Sequence, residues 1–186
     1  CIADPGGRFR ANPFRPMIAT KAYAAQSTTS PLAPFAFERR DPQPTDIVIE
    51  ILYCGVCHSD LHQARGEWHN TMYPCVPGHE IVGRVAKTGP EVMKFKVGDL
   101  AAVGCMVESC RTCPSCQRGL EQYCEQFPVF TYNGIDKFTG KQTFGGYSDR
   151  IVVDEAFALM ISDKVDLAAT APLLCAGITT YSPLRH

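Results

Sequence analysis

Net charge is nearly absent: 18 Lys and Arg stand against 19 Asp and Glu, a formal balance of −1. A chain so balanced lacks the basic stripe that nucleic acids attract, so no nucleic-acid partner is expected. No apolar run approaches the ~20 residues of a membrane-spanning helix, and no membrane partner is expected either. The stretch before Met17 carries Arg8, Arg10 and Arg15 but no apolar segment of the secretory kind. Residues 1–16 therefore read as a tail. A G-x-G-x-x-G turn following a strand is also missing. Gly6-Gly7 and Gly145-Gly146 do not supply one, so no phosphate-cradling turn of a dinucleotide fold is found.

What the chain does have is cysteine. Ten occur in 186 residues, clustered rather than spread as in a secreted disulfide framework. A reduced, cytoplasmic metalloprotein is expected. The densest cluster is Cys110, Cys113, Cys116 and Cys124, spaced C-x2-C-x2-C-x7-C. Neighbours so close along one loop pair poorly as disulfides, but all four can turn onto one cation. A closed tetrathiolate cage is how proteins hold structural zinc. The rival is an iron–sulfur cluster. Its C-x2-C-x2-C-x3-C-P run fits the first three cysteines only, and Glu125 rather than Pro follows the fourth.

Elsewhere the pattern is short strands punctuated by 15 Gly and 14 Pro. Asp46 to Tyr53 alternates polar and β-branched residues, and Ile81 to Ala86, Leu100 to Val103 and Ser148 to Val153 read as further strands. Ser59 is placed to cap a short helix. Together these predict a mainly β fold, a small barrel-like domain. After Asp163 the alanine-rich run Leu167 to Tyr181 reads as helix.

A second group is more dispersed: Cys57 in C-G-V-C-H-S-D-L-H, His79 with Glu80 in V-P-G-H-E-I-V-G, and Cys175 in A-P-L-L-C-A-G-I-T-T-Y. Two thiols and one imidazole with a fourth position open form the ligand set of catalytic zinc in alcohol dehydrogenase, but spacing this wide does not establish it. The motifs themselves, with V-G-D, G-G-Y-S and the four-cysteine lobe, resemble the zinc-dependent medium-chain alcohol dehydrogenases, cinnamyl-alcohol-dehydrogenase-like branch, from about Met17 to His186.

The resemblance implies a GroES-like, partly open β-barrel over residues 17–165, with its zinc lobe at about 105–127. It makes residues 166–186 the start of a truncated cofactor domain. It implies Cys57, His79 and Cys175 as catalytic zinc ligands, with Glu80 beside the metal and Asp60 orienting the imidazole. Ser59 and His62 become a proton relay, His58 and Thr179 cofactor contacts, and Trp68 a wall of the substrate pocket. Several have a plainer reading: Cys57 and Cys175 as buried structural thiols, His79 and His62 as surface histidines, Trp68 as a core anchor, Glu80 as an ion-pair residue. Cys54, Cys75 and Cys105 are expected to be ordinary buried thiols.

The implied cofactors are two zinc ions per chain and NADP (or NAD). The implied reaction interconverts a small-molecule primary alcohol and an aldehyde, in a homodimeric parent. Family members are about twice this length, two domains rather than one. The nucleotide-binding half is the part not found here, which leaves a non-enzymatic zinc-binding module as the second reading. Without that half, Leu173, Leu174 and Ile178 are expected to stand uncovered.

Overall fold

The computed structural model describes residues 17–185, so the tail expected for residues 1–16 lies outside the described residues. The chain opens with β1 (Ile18–Ala24) and β2 (Ala33–Arg39), then β3 (Asp46–Cys54), the short helix α1 (His58–Ala64), β4 (Ile81–Thr88) and β5 (Leu100–Val103). The lobe follows with β6 (Met106–Glu108), α2 (Pro114–Gln117) and β7 (Val129–Phe130). Next come β8 (Arg150–Asp154), β9 (Ala158–Met160), α3 (Leu167–Thr170) and α4 (Ala176–Arg185).

Five strands form one antiparallel sheet in the order β8-β3-β4-β5-β9. The β1–β2 and β6–β7 pairs stand as separate two-stranded ladders. The mainly β, partly open barrel expected from the sequence is what forms. Alternation builds its core: Ile47 and Ile49 of β3 pack with Ile81 and Val85 of β4, Ala101 and Val103 of β5, and Ile151 and Val153 of β8. Burying side chains of this size stabilises by about 1.5–3 kcal/mol each.

Close approach of β3 to β4 depends on Gly83. A Cβ there would stand 2.2 Å from the Glu50 carbonyl oxygen, in backbone that cannot move aside. Gly83→Ala is expected to cost about 1–3 kcal/mol as an overpacked strand contact. Thermal denaturation checks this, and an unchanged Tm would mean that the two strands have slack.

Three expectations need correction. The strand expected over Ser148 to Val153 begins instead at Arg150 and runs to Asp154, because Ser148 pairs only as an isolated bridge with Ala22. The predicted single helix from Leu167 is broken: α3 tightens into a 3-10 turn at Ala171–Leu174, and Cys175 leaves helical geometry at φ −122°, ψ −67°. Leu173 and Ile178 are exposed, as expected, but Leu174 packs against Val82, Ala102 and Ala171. Among the described residues no single helix is long and apolar enough to cross a membrane.

Candidate metal centres and the cleft above one of them

Helix α1 is capped by Cys57, not by Ser59. Cys57 is the N-cap in extended geometry, and its sulfur accepts the Ser59 N–H at 3.5 Å. Asp60 completes the capping box by accepting the Cys57 N–H at 3.0 Å. A serine is the usual cap, but here the cap also presents its sulfur to that of Cys175.

Asp60, buried at 3% exposure, ties two chain segments together. While one oxygen holds Cys57, the other accepts the Gly78 N–H at 2.9 Å and His79 Nδ1–H at 3.0 Å. This fixes the imidazole tautomer and turns Nε2 toward the thiols. Burial would lower the His79 pKa, but Asp60 raises it above its ordinary value. Burial likewise opposes ionisation of Asp60, yet His79 and the two backbone N–H groups hold its carboxyl below the usual range.

The structure brings together Cys57, His79, Glu80 and Cys175, one donor atom from each lying within 4.8 Å of the others. The sulfurs of Cys57 and Cys175 are 3.9 Å apart. Tetrahedral zinc–thiolate bonds of about 2.3 Å place sulfurs about 3.8 Å apart, so the pair fits one cation. Glu80 adds a second sign. It is buried, its Oε2 has no hydrogen-bond partner, and burial pushes its pKa up. An orphaned carboxylate oxygen beside two thiols is costly unless a cation meets it. The donor set therefore fits zinc.

The lobe fits the same test. Its four cysteine sulfurs also lie within 4.8 Å of one another, with Cys110 and Cys116 at 3.8 Å. The backbone N–H groups of Thr112 and Cys113 pull the Cys110 thiol down to about 6. Those of Glu125 and Cys116 lower Cys113 as well. None of the nine described cysteines is in a disulfide. The lobe is tied to the barrel at its base: Arg111 reaches Glu108 at 2.7 Å and Asp154 at 3.0 Å, and Lys137 reaches Glu108 at 2.6 Å.

A cleft of about 390 Å³ opens above Cys175 and His79. Ser59 and Trp68 line it, which gives Trp68 a place on the wall rather than in the core. Gln63, Cys105, Phe130 and Tyr132 line it as well and were not singled out from the sequence. Cys105 departs from the ordinary buried thiol expected of it, because it faces this cleft beside Cys175. Tyr132 has its ring 5.7 Å from that of His79. Cys75 is buried as expected, whereas Cys54 is half-buried.

The remaining candidates lie outside the cleft wall. His62 pairs through Nδ1 with Glu67, and its ring lies 5.5 Å from Trp68 and 5.6 Å from His58. His58 is exposed. Thr179 is exposed on α4, its N–H donating to the Cys175 carbonyl at 3.0 Å.

The class of domain is an open antiparallel barrel that carries a Cys–His–Glu–Cys cluster under a cleft and a separate tetracysteine lobe, two donor sets whose geometry each fits a metal ion. Sequence comparison then settles the family: the chain belongs to the alcohol dehydrogenase GroES-like domain family, whose model matches residues 43–163. It is similar to aldehyde reductase YahK of Escherichia coli, with 57% identity over 167 residues, 89% of this chain and 48% of that protein. It is also similar to NADP-dependent alcohol dehydrogenase C of Mycobacterium bovis, with 55% identity over 91% of this chain and 49% of that protein. Among solved structures, CAD from Helicobacter pylori complexed with NADP(H) superposes with a TM-score of 0.88 at 45% identity, covering 91% of this chain and 49% of that one. The chain thus spans about half the length of the curated relatives it matches.

Proposed function

We propose that this chain is the metal- and substrate-binding portion of a zinc-dependent oxidoreductase that interconverts a primary alcohol and an aldehyde with NADP. The observation that carries the reading is the meeting of Cys57, His79, Cys175 and the unpartnered Glu80 oxygen under the cleft. The names of the relatives, an aldehyde reductase and an NADP-dependent alcohol dehydrogenase, support the same activity.

Cys57, His79 and Cys175 would hold the catalytic zinc, with Glu80 beside it, and Cys110, Cys113, Cys116 and Cys124 a structural one. When bound, zinc supplies Lewis acidity toward oxygen and no redox chemistry of its own, and NADP supplies the hydride acceptor. The chain's own residues do the rest. Asp60 keeps the His79 proton on Nδ1 and so keeps the other nitrogen free to ligate. Trp68, Phe130 and Tyr132 give the cleft flat apolar walls that seat an organic group and displace water. Ser59, which lines the cleft, and His62, one turn along α1 and off the cleft wall, are assigned to carrying the substrate's hydroxyl proton out to water. His58 and Thr179 are assigned to the cofactor side.

The test is a spectrophotometric assay of the full-length, zinc-loaded protein with aromatic and aliphatic alcohols and aldehydes, offering NADP and NAD in turn. Turnover with NADP is expected. A fully loaded protein that oxidises no alcohol and reduces no aldehyde would reject the reading.

A further inference from the structure

Arg39 ends β2, distant in sequence from both cysteine clusters, yet its guanidinium is committed to one segment. Nε donates to the Arg150 carbonyl at 2.6 Å. Nη2 donates to the carbonyls of Phe144 and Gly145 at 3.0 and 3.1 Å and to Ser148 Oγ at 3.0 Å. The Phe37 ring lies under the guanidinium carbon at 4.9 Å and packs on Phe144 at 4.5 Å. Four acceptors in two directions suit a planar fork of donors. A lysine ammonium, being a point charge on one flexible stem, cannot reproduce that arrangement.

The gripped segment is the one that braces His79. Gly145 N–H donates to the Val76 carbonyl at 2.8 Å, Gly146 N–H to the Gly78 carbonyl at 2.8 Å, and Tyr147 N–H to the Pro77 carbonyl at 2.9 Å. Those three acceptors lie immediately before His79. The contact has no slack: a Cβ on Gly145 would meet the Pro77 carbonyl oxygen at 2.3 Å, and one on Gly78 would meet Tyr147 N at 2.8 Å. Beyond this ladder the Tyr147 hydroxyl donates to Asp60 Oδ2 at 3.5 Å. A shift of the segment 144–148 is therefore felt both by the backbone that carries His79 and by the carboxylate that orients its ring.

We propose that Arg39 is a positioning residue for the Cys57–His79–Cys175 site, holding the 144–148 strap at the depth that sets His79 and Asp60 for a cation. The inference rests on the reading of that cluster as a zinc site. It predicts that loss of the fork weakens metal binding there and leaves the lobe affinity unchanged, since among the described residues the Arg39 side-chain hydrogen bonds all go to residues 144–150 and none to Cys110–Cys124.

The experiment uses the full-length protein with Arg39→Lys, which retains the charge, and Arg39→Gln, which retains part of the hydrogen bonding. Zinc affinity at each site is measured by chelator competition, with Tm alongside. In both variants the Cys57–His79–Cys175 site is expected to weaken about tenfold or more, the range seen when partners of metal ligands are removed, while lobe affinity stays the same. A brace that serves only the fold would lower Tm with both affinities unchanged, or weaken both sites alike, and either result overturns the proposal. Should Arg39→Gln fail to fold, Arg39→Lys with unchanged affinity at the cleft site overturns it just as well. A wild-type protein that binds a single zinc, in the lobe, is a different result: it removes the cleft metal site itself.

Discussion

Cys57→Ala in the full-length, zinc-loaded protein is expected, on the function proposed above, to lower alcohol oxidation by more than about a thousandfold, since Lewis-acid activation of oxygen is worth many pK units, and to lower bound zinc from the proposed two ions to one. The residue has two roles that a pair of variants separates. As N-cap of α1 its sulfur accepts the Ser59 N–H, and losing a cap costs about 1 kcal/mol. As a donor it faces the Cys175 sulfur at 3.9 Å. Cys57→Ala loses both roles, whereas Cys57→Ser regains a good cap without the thiolate. If the metal role dominates, Cys57→Ser recovers Tm but neither zinc nor turnover. The lobe shares no residue with this site, so metal analysis of both variants should still find one zinc. Two zinc ions, or none, would contradict the assignment.

How far the sequence could be read depends on how local each feature is. The lobe is legible because its four donors fall between Cys110 and Cys124 on a single loop, so spacing alone implies a cage. The cleft site is not local. Cys57 caps a helix, His79 precedes β4 and Cys175 sits at a break between helical turns, and only folding brings the three together. Their motifs gave them away through resemblance, not geometry.

The rest was hidden for physical reasons. β3 to β5 show because their alternation meets a core on one face, whereas β6, β7 and β9 span only two or three residues, too few to establish a period. Cys105 looked like any buried thiol because nothing local says that it faces Cys175. Arg39 is a charged residue at a strand end, which sequence logic leaves in water. Its partners are carbonyls more than a hundred positions away. The break at Cys175 follows Pro172, a punctuation that the alanine-rich composition around it masks.

The other large effect is expected in the lobe itself. Cys113→Ser should unfold it locally while the cleft site keeps its zinc. The lobe has almost nothing else to hold it: its buried cluster is Cys113, Cys116 and Cys124 packed with Cys110, so its core is its own sulfurs. α2 has four residues and the turn at Glu121–Tyr123 has three, far below the ~12–15 residues at which a helix becomes marginally stable alone. Binding free energy at structural zinc sites is about 10–16 kcal/mol in small zinc domains and is folding energy there, so loss of one thiolate removes much of what orders the segment. The ion pairs of Arg111 and Lys137 with Glu108, and of Arg111 with Asp154, pin only its base. Hydrogen exchange should therefore rise sharply between Cys110 and Cys124 in the variant and stay unchanged across β3, β4 and β5. A chelator applied to the wild-type protein should reproduce the pattern in the lobe. Protection that survives both treatments would mean that side-chain packing, and not a metal, holds the lobe in shape.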